Sequence, residues 1–207
     1  MDIERRGGDP FAEPVAILKN SDPAAVAMKA GALFRSGEEG KAFVDLPTLN
    51  GKFTVAWPGI EVTSEPEKLS SFSLKLLALL YLANTNGAEP TGEMVAYRQI
   101  PDGLFYEPVV QRSVEAPLAE AFGKDVAGFS ASCESLGGRK SGHGDASYAF
   151  DLFPGVIIEF LLWREDDEFP ARLQVLFDSG DTNHLGAFDL RMASQEISSR
   201  LLKARAQ

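Results

Sequence analysis

The chain has 207 residues, 44% hydrophobic and 24% charged, which is globular composition and enough length to bury a core without covalent staples. Its formal net charge of −10 excludes a phosphate-neutralising nucleic-acid binder and an anionic-membrane binder, both of which need a basic surface. The single cysteine, Cys133, excludes an internal disulfide framework and a four-thiolate zinc or iron–sulfur site.

In chain order, residues 1–12 are predicted to be a mobile tail ahead of one domain over 13–207. MDIERRGGDP lacks the apolar stretch of a signal peptide, and LLALLYLA, Leu76 to Ala83, is too short to span a bilayer. The expected location is therefore the cytoplasm. Asp22-Pro23 is a helix start, followed by Val26, Ala30, Leu33 and Phe34 at helical spacing and a stop at Gly37. AFVDLPTLNGKFTVAWPG predicts a hairpin turning at Asn50-Gly51, with Pro47 placing its first strand at an edge or a bulge. EKLSSFSLKLLALLYLANTNG predicts the central core helix, with a stripe of Phe72, Leu76, Leu79, Leu80 and Ala83 widened by Leu74, Leu77 and Tyr81.

EMVAYRQI predicts a strand closed by a Pro101-Asp102-Gly103 turn. From Phe105 to Leu136 two or three short helices are expected, interrupted by Pro117, Gly123 and Gly128. A glycine-rich loop then leads into the strand ASYAFDLFPG. GGRKSG within that loop fails the phosphate-loop fingerprint in residue order and in context. GFSAS, Gly128 to Ser132, likewise misses the nucleophile-elbow pattern.

Two more strands follow, then an amphipathic helix from about Phe188 to Ala204 carrying Leu190, Ile197, Leu201 and Leu202. Short connections between strands predict an antiparallel sheet of about six strands packed with helices, an α+β fold.

Parity fixes the final hairpin. Val156, Ile158, Phe160 and Leu162 share one face of their strand, and Leu173, Val175 and Phe177 share one face of the next. For both sets to meet one core, opposed positions must sum to an odd number, so Phe160 faces Leu173 or Val175 and never Gln174. The turn then falls within Arg164 to Pro170. Glu165, Asp166, Asp167 and Glu168 become its solvated tip, because opposed like charges on strands repel. A calcium loop would need alternate ligand spacing and a glycine at the bend, and this run has neither. Glu159 interrupts the apolar run and is expected on a wet face; buried, it would need a partner such as Arg172.

The candidate site residues are His143 and Asp145 in GHGD, with Asp178 and His184 near the last turn. If their loops meet, two imidazoles and two carboxylates make a metal site. The alternative is that Asp145 caps a turn and both histidines are solvated. Cys133 reads as a buried, inert thiol.

LLYLANTNG, GEMVAYRQIPDGLFY, Gly144-Asp145, LFPG and LLWREDDEFPARLQVLFD resemble, in that order, an uncharacterised prokaryotic family, domain of unknown function 3786. The likeness runs from about Phe43 to Leu202. It implies a prokaryotic protein of the kind typical of anaerobic bacteria and archaea. It draws attention to Asp145, Trp163, Asp167, Glu168, Phe169, Pro170 and Asp178 without assigning them roles. In that hairpin tip Phe169 is expected to fold back onto the core and Pro170 to stiffen the return strand. Some members of the family carry a Cys-rich segment similar to iron–sulfur modules of corrinoid proteins. This sequence has no such segment.

The leading expectation is a non-catalytic binding or accessory protein of anaerobic prokaryotic metabolism, acting on a small ligand or a partner protein, with the cofactor unassigned. The alternatives are a metal-dependent enzyme using His143, Asp145, Asp178 and His184, and a homo-oligomer joined through the mixed face of the final hairpin.

Overall fold

Two antiparallel sheets, of four and five strands, organise the chain; the computed structural model describes residues 8–205. The helices are α1 (Ala12–Lys19), α2 (Pro23–Lys29), α3 (Phe72–Asn84), α4 (Glu107–Val110), α5 (Ala116–Phe122), α6 (Val126–Ser135) and α7 (Ala187–Arg205). The strands are β1 (Leu33–Ser36), β2 (Ala42–Thr48), β3 (Gly51–Trp57), β4 (Glu61–Glu65), β5 (Met94–Ala96), β6 (Arg139–Lys140), β7 (Ala146–Phe153), β8 (Val156–Trp163) and β9 (Arg172–Asp178). The fold is α+β, as expected, with nine described strands rather than about six.

The first sheet is a meander, β1-β2-β3-β4, and the second runs β5-β9-β8-β7-β6. Side chains from both sheets and from α1, α2, α3, α5, α6 and α7 join one hydrophobic cluster. The Leu49 amide donates to the Asp151 carbonyl at 3.0 Å and ties the first hairpin to β7. Among the described residues, no helix is long and apolar enough to cross a membrane.

Of the expected tail, residues 1–7 lie outside the described residues. The remainder is placed: Phe11 packs edge-on against Phe72 at 5.1 Å and α1 begins at Ala12. At α2 the Asp22 carboxylate accepts from the Ala24 and Ala25 amides, and Pro23 occupies the first turn, so the predicted start is found.

The first hairpin forms one residue earlier than expected. Thr48 pairs with Gly51, so Leu49 and Asn50 make the turn, with Leu49 at φ 45. Gly51 serves close packing instead, because a Cβ there would lie 2.3 Å from the Glu65 carbonyl oxygen and from Leu69 Cδ1. Pro47 is tolerated because β1 pairs with β2 only as far as Asp45.

Apolar on nearly every side, α3 is buried through Leu74, Leu76, Leu77, Ala78, Leu79, Tyr81 and Leu82. Phe72, placed in the stripe from spacing, is instead 62% exposed at the first turn. The expected break at Pro117 does not occur. A π-helical turn, Gln111–Glu115, joins α4 to α5, and the Ala116 amide bonds the Gln111 carbonyl five residues back. The wider turn ends at Glu115, two residues before Pro117, whose ring would clash with a regular preceding turn. Asp125 caps α6 by accepting from the Gly128 amide, so Gly128 sits inside the helix instead of ending one.

The parity argument holds in the second sheet. Phe160 pairs with Val175, Ile158 with Phe177 and Leu162 with Leu173, and all six are at most 3% exposed. The other face carries Glu159 opposite Leu176, Leu161 opposite Gln174 and Trp163 opposite Arg172. Glu159 is buried at 3%, contrary to its expected wet position. Its partner is the Ser141 hydroxyl, donated from the strand-to-loop junction beside β7, and not Arg172.

Candidate functional site

The residues picked out by sequence fall into two groups at opposite ends of the second sheet. Asp145 immediately precedes the row in which Ala146 pairs with Leu162, and Asp178 immediately follows the row in which Phe177 pairs with Ile158. Those rows lie four residues apart along β8. At about 3.3 Å per residue, and with each acid one residue beyond its row, roughly 20 Å of sheet separates the two carboxylates. The structure therefore does not bring His143 and Asp145 to Asp178 and His184. Among the described residues no group of three or more His, Cys, Asp or Glu side chains is arranged to hold a metal ion.

The Asp178 end is a buried polar junction. Asp178 is 0% exposed and accepts four hydrogen bonds, from the Thr91 amide at 2.9 Å, the Thr91 hydroxyl at 2.8 Å, the Gly92 amide at 2.7 Å and the Gly180 amide at 2.8 Å. Burial pushes its carboxyl up, and these donors outweigh burial and hold it below the usual carboxylate range. Its role is to tie the segment before β5 to the end of β9.

Asp181, also 0% exposed, accepts from the Ile157 amide at 3.0 Å through Oδ1. Its Oδ2 has no hydrogen-bond partner among the described residues. Desolvation, with a smaller contribution from Asp178, pushes this carboxyl up to about 8.

His184 is 2% exposed, and its Nδ1 lies 2.7 Å from the Thr85 hydroxyl. Burial lowers its pKa against the opposing pull of the Ala88 carbonyl and Asp178, so the ring is neutral at pH 7. It borders a cavity of about 120 Å³ beside Pro154 and Gly155.

The Asp145 end is open to solvent. His143 is exposed, and its backbone amide donates to the Ser147 hydroxyl at 2.8 Å. The carboxylate of Asp145 caps the start of the tip by accepting from the Arg164 amide at 2.9 Å, with the Arg164 guanidinium at 3.8 Å. Glu165, Asp166, Asp167 and Glu168 are all exposed, as the hairpin reading requires.

Asp166 organises the bend. Its Oδ1 accepts from the Glu168 and Phe169 amides at 2.9 and 2.7 Å, which together hold its carboxyl below the usual range. The start of the tip is tethered to the end of α5, where the Glu165 amide donates to the Gly123 carbonyl at 3.1 Å and Lys124 pairs with Glu165 at 3.0 Å. Only glycine fits at position 123, since a Cβ there would lie 2.2 Å from that of Ala171.

Phe169 does not fold back onto the core. It is 66% exposed and lines, with Pro170, Trp163, Arg164, Arg172 and Asp145, a cleft of about 560 Å³. Arg172 lies over the Trp163 ring at 5.4 Å, a cation–π pair across the two strands. The motif residues Asp145, Trp163, Phe169 and Pro170 thus share one surface, and Asp167 and Glu168 are exposed in the chain between its lining residues Asp166 and Phe169. Asp145 therefore sits with the other residues of the family motifs and not with its expected metal-site partners Asp178 and His184.

Residues that the sequence did not single out form a second feature beside this cleft. Arg172 also lines a cavity of about 110 Å³ with Arg98, Glu107, Gln111, Glu115 and Gln174. Glu115 arrives there from the π-helical turn. Its Oε1 accepts from the Val175 amide at 3.0 Å, just past the point where β5 stops pairing with β9. The position of Pro117 inside a helical run was the one available signal for that turn.

Cys133 is fully buried, and desolvation raises its pKa, which fits an inert thiol. Arg139, read as part of a loop, is in β6 and makes two 2.8 Å hydrogen bonds to Asp151.

Curated proteins and solved structures give no match to this chain. One family, described as Domain of unknown function (DUF3786), matches residues 22–200, nearly the whole of the described fold and both ends of the second sheet. The chain belongs to that family, Domain of unknown function 3786.

Proposed function

We propose that this chain is a non-catalytic binding or accessory protein of anaerobic prokaryotic metabolism, acting in the cytoplasm, and that it engages a partner protein through the cleft at the β8–β9 tip. The observation that carries the reading is Phe169. A large aromatic side chain is 66% exposed on a bend whose backbone is fixed by Asp166 and whose start is tethered to α5. An exposed aromatic on a fixed backbone, next to a stacked Trp–Arg pair, is the kind of anchor that dominates protein interfaces. A pre-set bend lowers the ordering entropy that binding would otherwise cost. The exposed acids Asp167 and Glu168 favour a partner with a basic surface and speed its approach.

The separation of Asp178 and His184 from His143 and Asp145 leaves the metal-enzyme alternative without a shared site. The experiment is recovery of complexes from the source cells with the wild-type chain and with Phe169→Asp as baits. The reading expects a protein held by the wild type and lost from a folded Phe169→Asp chain. The same proteins recovered with both baits would overturn it.

A further inference from the structure

The cavity beside Arg172 has an unusual charge arrangement. Two arginines, Arg98 and Arg172, and two glutamates, Glu107 and Glu115, line a space of about 110 Å³. Yet among the described residues no ion pair joins either arginine to either acid. Arg172 is stacked on Trp163 and reaches Gln174 Oε1 at 3.5 Å. Glu115 uses Oε1 on the Val175 amide. Arg172 and Glu115 are thus engaged by other neighbours, and all four residues border one gap.

We propose that this cavity binds a small zwitterion of the α-amino-acid class, with its carboxylate between Arg98 and Arg172 and its ammonium against Glu107 and Glu115. Charge selects this class. A dicarboxylate would meet both acids, a diamine would meet both arginines, and a ligand carrying one charge of each sign meets complementary groups throughout. Guanidinium forks match a carboxylate, and an ammonium offers three donors to acceptor-only carboxylates.

Size narrows the class. A cavity of about 150 Å³ accommodates benzene, so the space here suits the smallest amino acids, with Gln111 and Gln174 as further polar lining. The π-helical turn is what delivers Glu115, and such turns occur frequently at functional sites. Desolvation raises the Glu115 pKa, with a small addition from Glu107, against the opposing pull of the Val175 amide and the Arg172 charge, and a bound ammonium would add a second favourable charge.

The inference does not rest on the docking reading, since a partner can be lost with glycine binding intact and the reverse. The test is titration calorimetry of the full chain with glycine, alanine, acetate and methylamine, repeated on Arg98→Ala and Glu107→Gln, with circular dichroism confirming that each variant is folded. The expected result is saturable binding of glycine or alanine, at least about tenfold weaker binding of acetate and of methylamine, and a loss of roughly tenfold or more in each variant. Absence of saturable binding by either amino acid would overturn the proposal. So would acetate binding as tightly as glycine, or glycine binding that neither variant weakens.

Discussion

Replacing Asp181 with Asn tests the buried junction at the end of β9. The side chain is 0% exposed, and its carboxyl is pushed up to about 8 in the folded protein, against 3.8 for an unperturbed group. Because the folded-state pKa is the higher one, the contribution of this group to stability is fully present below the unfolded pKa. It is lost as pH rises through about 8. At about 1.4 kcal/mol per pH unit, the gap of about 4 units sets an upper limit of about 6 kcal/mol, of which on the order of 4 falls between pH 5 and pH 8.

Asn keeps an oxygen for the Ile157 amide and never ionises, so Asp181→Asn lacks this dependence. The assay is urea unfolding of both proteins from pH 5 to pH 8.5, followed by the fluorescence of Trp57 and Trp163. The variant should gain several kcal/mol on the wild type as pH rises. Stability profiles that stay parallel over the whole range would refute the reasoning, since they would mean that Asp181 is ionised and solvated.

Two phenylalanines nine residues apart should behave in opposite ways. Phe160→Ala, at 0% exposure in the core face of β8, should cost about 3–5 kcal/mol of unfolding free energy, whereas Phe169→Ala should change it by no more than about 0.5 kcal/mol; denaturant titration measures both. Asp178→Ala leaves the Thr91, Gly92 and Gly180 donors without their acceptor and should destabilise by about 3 kcal/mol or more, with faster amide exchange at Thr91 and Gly92 read by NMR. Cys133 should resist a thiol reagent in the native protein and react fully in denaturant, since it is buried with a raised pKa.

Much of the second sheet was legible because its strands are strongly patterned. The shared parity of the apolar residues in β8 and β9 limited the partner of Phe160 to Leu173 or Val175, and the acids had only the bend left to occupy. The core helix α3 was legible because it is apolar almost throughout. The strands that escaped notice are short, exposed edges. β1 is exposed along its whole length, β4 is Glu-Val-Thr-Ser-Glu and β6 has two residues, so none carries an apolar face that alternation would reveal.

The site residues were harder to place, because loops gain their meaning from distant partners. His143 and His184 both follow glycine-containing turns, yet one is in solvent and the other is sealed against Thr85 and Tyr81. Glu159 is buried because Ser141, eighteen residues earlier, reaches it. Phe169 is expected to fold back onto the core as part of a structural hairpin tip, and the Asp166 bend that leaves it exposed depends on local hydrogen bonds that composition does not encode. The Arg98, Glu107, Glu115 and Arg172 cavity draws on β9 and on segments up to about seventy residues away in sequence, and no short motif spans it.

The central claim is that the tip of the β8–β9 hairpin is a binding surface. Its most direct test is a photo-reactive phenylalanine analogue placed at position 169 of the chain in its own cells, with the same analogue at exposed Phe72 as the reference. The account predicts a discrete cross-linked adduct to a partner from position 169 that position 72 does not give. No adduct from position 169, or identical adducts from both positions, would contradict it.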